Sequence, residues 1–290
     1  MNQKPLSKTR IGVIGGRGAF GRWCVNLFES IGSEVRISDL ATDLSNEELV
    51  DWASVVVLAV PIGVTAQVVS SISLQLDSEK LLVELTSVKT PFEGLLSELA
   101  CEVLSLHPRF SPVVQSCDGQ SCVAARYRSA CAGDSVLALL RERGIALVEM
   151  SAEDHDRTMA VIQGLTHFQA IAAAHCFGAL GFDLKKSLSV ASPVYRLRLS
   201  MIGRIIAQDP RLYAEIQMYN PYVPAVIESL RDSSRLLEDL ITRKDTAGFV
   251  AEFEQCKKAL GDFQNEALVE SNQLIEALKG SGGVKRGGGL

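Results

Sequence analysis

Proton transfer near neutral pH suits an imidazole, and the chain has only four: His107, His155, His167 and His175. His107 directly follows the apolar run Val103 to Leu106 and precedes Pro108, which is where a side chain at the end of a strand would stand. Ser87 and Lys89, in Leu85-Thr86-Ser87-Val88-Lys89, close the preceding apolar run and are expected at the same rim. A serine hydroxyl there could orient the imidazole, and a lysine could attract an anionic substrate. Further along, Arg196 and Arg204 would lie about 80° and about 12 Å apart on one helix, so both could face one cleft. Their planar forks suit carboxylates, whereas Arg198 points the other way. His167 falls inside an otherwise apolar helix and has i, i+8 spacing to His175, unlike the i, i+4 pair of a zinc helix, so no metal is expected. His155, between Asp154 and Asp156, reads as a structural residue in the first turn of its helix.

A second chemistry lies near the N-terminus. The stretch Arg10-Ile11-Gly12-Val13-Ile14-Gly15-Gly16-Arg17-Gly18-Ala19-Phe20-Gly21 is a strand running into a turn with G-x-G-x-x-G at Gly16, Gly18 and Gly21. The first of these glycines would make the tight turn, the second would let amides approach a pyrophosphate, and the third would let the next helix pack closely. The amides of that helix N-terminus, around Arg17, Ala19 and Phe20, would face the anion. A helical pattern through Trp23, Leu27 and Ile31 stops at Gly32, and a second strand, Glu34 to Ser38, ends at Asp39. That carboxylate stands 18 residues after Gly21, near where an acid should accept from the adenosine ribose. Leu40 follows it, with no arginine to hold a 2′-phosphate, so NAD is expected over NADP.

The elements that must position these groups are legible in outline. After the first βαβ unit, apolar runs recur at Ser54 to Val60, Leu81 to Leu85, Val103 to Leu106, Cys122 to Ala125 and Ile145 to Val148, separated by helical or loop segments. This predicts an α/β fold with a doubly wound parallel sheet over residues 1–150 and its ligand beyond the strand ends. Ser151 to Asp154 resembles a capping box, and helical periodicity continues to Lys279. The reading is an all-helical domain over 151–279 and a mobile tail over 280–290. With 290 residues and 47% hydrophobic content, two soluble domains are expected. A net charge of -5 without a basic stripe argues against nucleic acid or an anionic membrane surface. Met159 to Leu180 is apolar, but Gln163, His167, Gln169 and His175 interrupt it, so a buried helix is the better reading than a membrane span. Seven cysteines without a C-x-x-C pair, and an N-terminus without an apolar run, fit a reducing cytoplasm.

Taken together, several segments resemble the prephenate and arogenate dehydrogenases of tyrosine biosynthesis. Gly15 to Gly21 resembles their nucleotide loop, Val60-Pro61-Ile62-Gly63-Val64-Thr65 their fourth-strand turn, and Leu85 to Lys89 their serine-lysine motif. His107-Pro108-Arg109-Phe110-Ser111-Pro112 is similar to their histidine-proline segment, with Arg109 and Ser111 where methionine and glycine would be expected. Glu153 to Asp156, Gln163 to Phe168, Ser192 to Arg196 and Gly203 to Pro210 extend the likeness over about residues 10 to 265. The resemblance implies NAD-dependent oxidative decarboxylation of a small anionic cyclohexadiene. His107 would take the 4-hydroxyl proton while Ser87 positions the hydroxyl or the imidazole. Arg204 would bind a carboxylate, His167 would line the pocket, Lys89 and Arg196 would support the anionic site, and Val60 and Pro61 would border the cofactor. It also implies a homodimer through the helical domain. With no mutase or regulatory segment in the chain as given, a single activity is expected. Rival readings are an enzyme for 4-amino-4-deoxyprephenate, a non-catalytic NAD-binding sensor, and a dehydrogenase of the β-hydroxyacid type.

Overall fold

The computed structural model describes residues 6–114, 116–128 and 131–280, so the tail expected from 280 onward lies almost wholly outside the described residues. Seven strands form one sheet: β1 (Arg10–Ile14), β2 (Glu34–Ser38), β3 (Val55–Leu58), β4 (Leu81–Glu84), β5 (Glu102–Pro108), β6 (Ser121–Arg128) and β7 (Ala146–Glu149), in the order β2-β1-β3-β4-β5-β6-β7. Helices α1 (Ala19–Glu29), α2 (Asn46–Trp52), α3 (Ile62–Ile72), α4 (Glu93–Ser97) and α5 (Cys131–Glu142) join them. The central strands are uninterrupted apolar runs because both faces are covered. Val55 and Val57 enter one core with α1 and α5, while Val56 and Leu58 enter the other with α2, α3 and α4. The edge strands β2 and β7 keep exposed positions.

The sheet is parallel with one exception: β6 runs antiparallel to β5, and β7 then runs parallel to β6. Among the described residues of the 109–120 connection there is no crossover helix, and without one the chain must return antiparallel. This reversal extends β5 beyond its expected end at Leu106. The parallel ladder with β4 stops at Ser105, but the ladder with β6 continues through His107 opposite Val123 and Pro108 opposite Cys122. His107 is therefore the penultimate residue of a strand, held past the rim by its antiparallel neighbour.

Beyond β7 the chain is helical: α6 (Ala152–Met159), a π-helical turn (Ala160–Leu165), α7 (Thr166–Ala179), α8 (Leu184–Ser189), α9 (Pro193–Ile206), α10 (Pro210–Tyr219), α11 (Val223–Thr242), α12 (Thr246–Leu260) and α13 (Phe263–Gly280). Two compact units result. The first holds the sheet with the chain up to Gly164 and adds Arg211–Val223; the second holds Leu165–Pro210 and the described residues from Pro224. Helix α6 stays with the sheet because Asp156 accepts from the backbone amides of Lys89 and Thr90. Asn220 in turn donates to the Asp156 carbonyl at 2.8 Å, which brings the 211–223 segment into the same unit. Among the described residues no helix is long and apolar enough to cross a membrane.

The glycine turn spans Gly15 to Arg17. Its residue in the left-handed region is Gly15, at φ +79°. A Cβ on Gly15 would stand 2.3 Å from the Ala59 carbonyl oxygen, because this turn passes directly over the end of β3. Gly21 does what the third glycine should: its Cβ would fall 2.1 Å from the Gly15 oxygen, so α1 abuts the turn. Gly15→Ala should cost at least about 2 kcal/mol, combining positive-φ strain with a backbone clash. Urea unfolding of the ligand-free protein measures this, and an unchanged midpoint would refute the close approach.

Candidate active site

Strand order reverses at β1, whose neighbours β2 and β3 are reached in opposite directions, and a cleft of about 770 Å³ opens there. Gly15, Arg17, Gly18, Asp39, Val60 and Pro61 are among the residues lining it. A topological switch point is where doubly wound sheets take nucleotides. Helix α1 begins here with Gly18 as its cap residue and no side-chain cap, which leaves the cleft end of the helix to backbone N–H groups. Asp39, at the end of β2, accepts from the Arg17 amide at 2.9 Å and the Leu40 amide at 2.8 Å, so its carboxylate is fixed across the turn with acceptor positions to spare. A cradle that a Cβ would fill, an uncapped helix start and an oriented carboxylate fit a dinucleotide. Phe20 is not among the residues lining the cleft. Its ring is 6.3 Å from that of Trp23 and 6.1 Å from that of Phe110, in an aromatic cluster.

Around His107 four side chains form a line. Asp156, wholly buried, lies 2.7 Å from His155 Nδ1. His155 Nε2, also wholly buried, lies 2.8 Å from His107 Nδ1, and His107 Nε2 lies 3.1 Å from Arg109 Nη1. The end groups decide the proton positions. A carboxylate only accepts and a guanidinium only donates, so His155 carries its proton on Nδ1, His107 on Nδ1, and the lone pair of His107 sits on Nε2. Burial, then the cations Arg109 and Lys89 and the neighbouring His155 hold His107 well below the usual histidine range. Burial also lowers His155, against the opposing pull of Asp156. For Asp156, burial raises the pKa, but hydrogen bonds from His155, Thr90 and Lys89 outweigh it and leave the carboxyl below its ordinary value. The line thus holds a neutral imidazole whose Nε2 lone pair is met, among the described residues, only by Arg109, and a neutral imidazole is the form a general base needs.

Two of the residues expected at this rim act differently. Lys89 is 1% exposed, and its ammonium is surrounded by Glu84 Oε2 at 3.0 Å, the Thr86 carbonyl at 2.7 Å and the Leu106 carbonyl at 2.8 Å. All three of its protons are engaged, so it ties β4 to β5 from beneath instead of attracting an anion. Ser87 is half-buried after β4, but both nitrogens of His107 have other partners, so His155 orients the imidazole. In the second unit, His167 is half-buried on α7, while Arg196 and Arg204 are exposed on α9, which packs against α7. The sequence reading gives His155 only a structural part in its helix and leaves Asp156 and Glu84 without a role. The adjacent His155-Asp156 pair was the available signal, but contact with His107 depends on pairing across 48 residues.

The Lys89–Glu84 pair is buried on both sides, and Glu84 also accepts from Ser105 Oγ and the Thr86 amide. Lys89→Met should therefore cost about 3–5 kcal/mol, because it leaves an unpaired buried carboxylate, and Glu84→Gln/Lys89→Met should recover part of that loss. Equilibrium urea denaturation compares the two. A double variant less stable than the single one would overturn the pairing argument.

Residues 151–255 match the family model described as prephenate dehydrogenase, dimerization domain. Over 278 residues the chain is 33% identical to the T-protein of Enterobacter agglomerans, covering 93% of this chain and 72% of that protein. It is 29% identical over 288 residues to a Methanocaldococcus jannaschii protein named probable arogenate/prephenate dehydrogenase, covering 92% of this chain and 65% of that protein, just under two thirds of its length. Its fold is similar to a crystal structure of prephenate dehydrogenase from A. aeolicus in complex with hydroxyphenyl propionate and NAD+, with a TM-score of 0.62, 20% identity, and coverage of 88% of this chain and 98% of that one. A mostly parallel sheet with a nucleotide-type cleft, followed by helices that match this dimerization domain, and identity maintained over nearly the whole chain lead to one conclusion: the chain belongs to the prephenate/arogenate dehydrogenase family.

Proposed function

We propose that the chain is an NAD-dependent prephenate dehydrogenase, converting prephenate to 4-hydroxyphenylpyruvate and CO2. The observation that carries this reading is the Asp156–His155–His107 line, which ends in an accepting lone pair on a strand of the same sheet that bears the nucleotide-type cleft. When bound, NAD supplies the hydride acceptor. Its pyrophosphate would lie on the amides from Gly16 through Gly21, its ribose at Asp39, and Val60 and Pro61 would border it. His107 Nε2 takes the hydroxyl proton as hydride leaves the same carbon, with Ser87 positioning that hydroxyl. Loss of CO2 then leaves an aromatic ring, and the proton returns from the imidazole to the phenolic oxygen. Neither imidazole of the line needs to change its tautomer, because Asp156 and His155 stabilise the charge that forms on His107. On the second unit, Arg204 is assigned to a substrate carboxylate, supported by Arg196, with His167 lining the pocket.

A homodimer through the helical unit belongs to the same reading. Among the described apolar residues of that unit only Ala170, Ile202 and Leu240 are buried, while Val190, Ile241, Leu268 and Val269 are more than half exposed. Apolar surface on this scale favours a partner of the same kind.

NADH formation, monitored in parallel with prephenate, arogenate and 4-amino-4-deoxyprephenate, tests the substrate. Prephenate should give the highest kcat/KM, and a clear preference for either other compound would reassign it. His107→Asn should lower kcat by about 10² to 10⁴ with a smaller change in KM. Because the neutral imidazole is the working form and its pKa is depressed, kcat/KM should hold its plateau to below pH 6.5, the ordinary histidine value, before falling. Arg204→Ala should raise KM more than it lowers kcat. Light scattering on a sizing column should give twice the chain mass, and a monomer at micromolar concentration would remove the dimer.

A further inference from the structure

Arg109 is a cation with no evident business where it stands. Burial pulls its guanidinium below the ordinary arginine range, and among the described residues no carboxylate forms an ion pair with it. Among the described residues its one side-chain hydrogen bond is with His107 Nε2, at 3.1 Å. As a structural bond this would be a poor arrangement, because a partly buried cation is normally offset by an anion. The lone pair that it occupies is also the one from which the base must act. A neutral residue would leave that lone pair open, whereas the guanidinium both covers it and places a fixed donor beside it.

We propose that Arg109 is a second catalytic residue: the substrate's hydroxyl oxygen enters between the guanidinium and the imidazole, giving its proton to His107 Nε2 while accepting a hydrogen bond from Arg109 Nη1. The inference rests on His107 being the base of the proposed dehydrogenase. The contact at 3.1 Å opens to admit one oxygen, a movement within reach of a half-exposed arginine side chain. As the O–H bond breaks, the proton passes to Nε2, and the electron pair left on oxygen forms the carbonyl as the carbon gives up its hydride, which bound NAD would accept. Arg109 keeps its own protons throughout and lowers the energy of the negatively charged oxygen, first while the hydroxyl proton is leaving and again in the phenolic product. This is the arrangement that makes fixed donors effective at developing oxyanions.

The surroundings of His107 determine the direction of the pH effect. Facing it are Arg109 from the 109–120 connection, His155 and through it Asp156 from α6, Lys89 with Glu84 from the end of β4, and the Cys122 thiol of β6, which burial pushes up to about 12 and so keeps neutral. Lys89 is neutralised by Glu84, leaving Arg109 as the cation without a paired anion nearest the lone pair. Arg109→Met should therefore move the acid limb of kcat/KM upward by about one pH unit.

The decisive comparison is between 3-(4-hydroxyphenyl)propanoate and 3-phenylpropanoate, which differ only in the hydroxyl, binding to the NAD-loaded enzyme by calorimetry. The native protein should prefer the hydroxylated ligand by about tenfold or more, Arg109→Met should lose most of that preference, and Arg109→Lys should keep part of it. In turnover, Arg109→Met should lower kcat by about 10² with a smaller change in KM, and Arg109→Lys should recover part of the loss. Equal weakening of both ligands, or a hydroxyl preference that survives Arg109→Met, would overturn the proposal, as would a kcat within twofold of native with the acid limb unmoved. If the native protein oxidises none of the three cyclohexadienes, the dehydrogenase reading falls; a hydroxyl preference that still depends on Arg109 would then keep its donor role standing.

Discussion

One buried carboxylate organises the sheet-bearing unit. Asp156 accepts from the amides of Lys89 and Thr90 and from His155 Nδ1, so three donors converge on a group that has no contact with water. The two amides dock α6 against the end of β4, and the imidazole turns that docking into chemistry. With the acceptor fixed at one end, each proton along the line has only one place to be, and the unshared pair emerges at His107 Nε2. The cost of burying an anion is offset by bonds that also set the orientation of two imidazoles. The Glu84–Lys89 pair beneath it does related work, holding the ends of β4 and β5 together from within the core.

Much of this was legible in the sequence because it depends on local rules. Strands buried on both faces must be apolar throughout, so Val55 to Leu58 and Leu81 to Val83 announced themselves. A glycine doublet followed by G-x-x-G leaves few alternatives to a phosphate-type turn. What escaped depends on contacts between distant segments. The direction of β6 follows from the absence of a crossover helix among the described residues of a polar connection, which carries no periodicity. The left-handed residue of the turn is Gly15, selected by the close approach of Ala59, and nothing in the doublet itself distinguishes it from Gly16. Lys89 reads as a surface cation until Glu84, five residues earlier, is seen to share its burial. His155 reads as a residue at a helix start, which it is, and only its 2.8 Å contact with His107 gives it a further part.

The two ligand-directed features of the first unit are built from different materials. The cleft at β1 and β3 relies on backbone: missing Cβ atoms, amides at a helix start and a carboxylate held by amides. Such a surface reads the shape and charge common to all dinucleotides. The rim at β5 relies on side chains in series, where replacing one group alters the protonation of the next. The first tolerates change in side chains that point elsewhere, as Phe20 does; the second responds to single substitutions such as arginine in place of a neutral residue at position 109.

The course of the chain around Gly164 limits how the molecule can be divided. The polypeptide leaves the first unit there, returns for Arg211–Val223 and leaves again, so the sheet-bearing unit is discontinuous in sequence. The returning segment brings Ile216 into the apolar core under α2 and α3 and Asn220 to the Asp156 carbonyl. A fragment ending at residue 164 would keep every strand and the whole glycine turn, yet lack part of its own core and one of the bonds on α6. Gene-level dissection of this protein, and any shuffling of its nucleotide-type half onto another partner, would have to carry that later segment along or replace it.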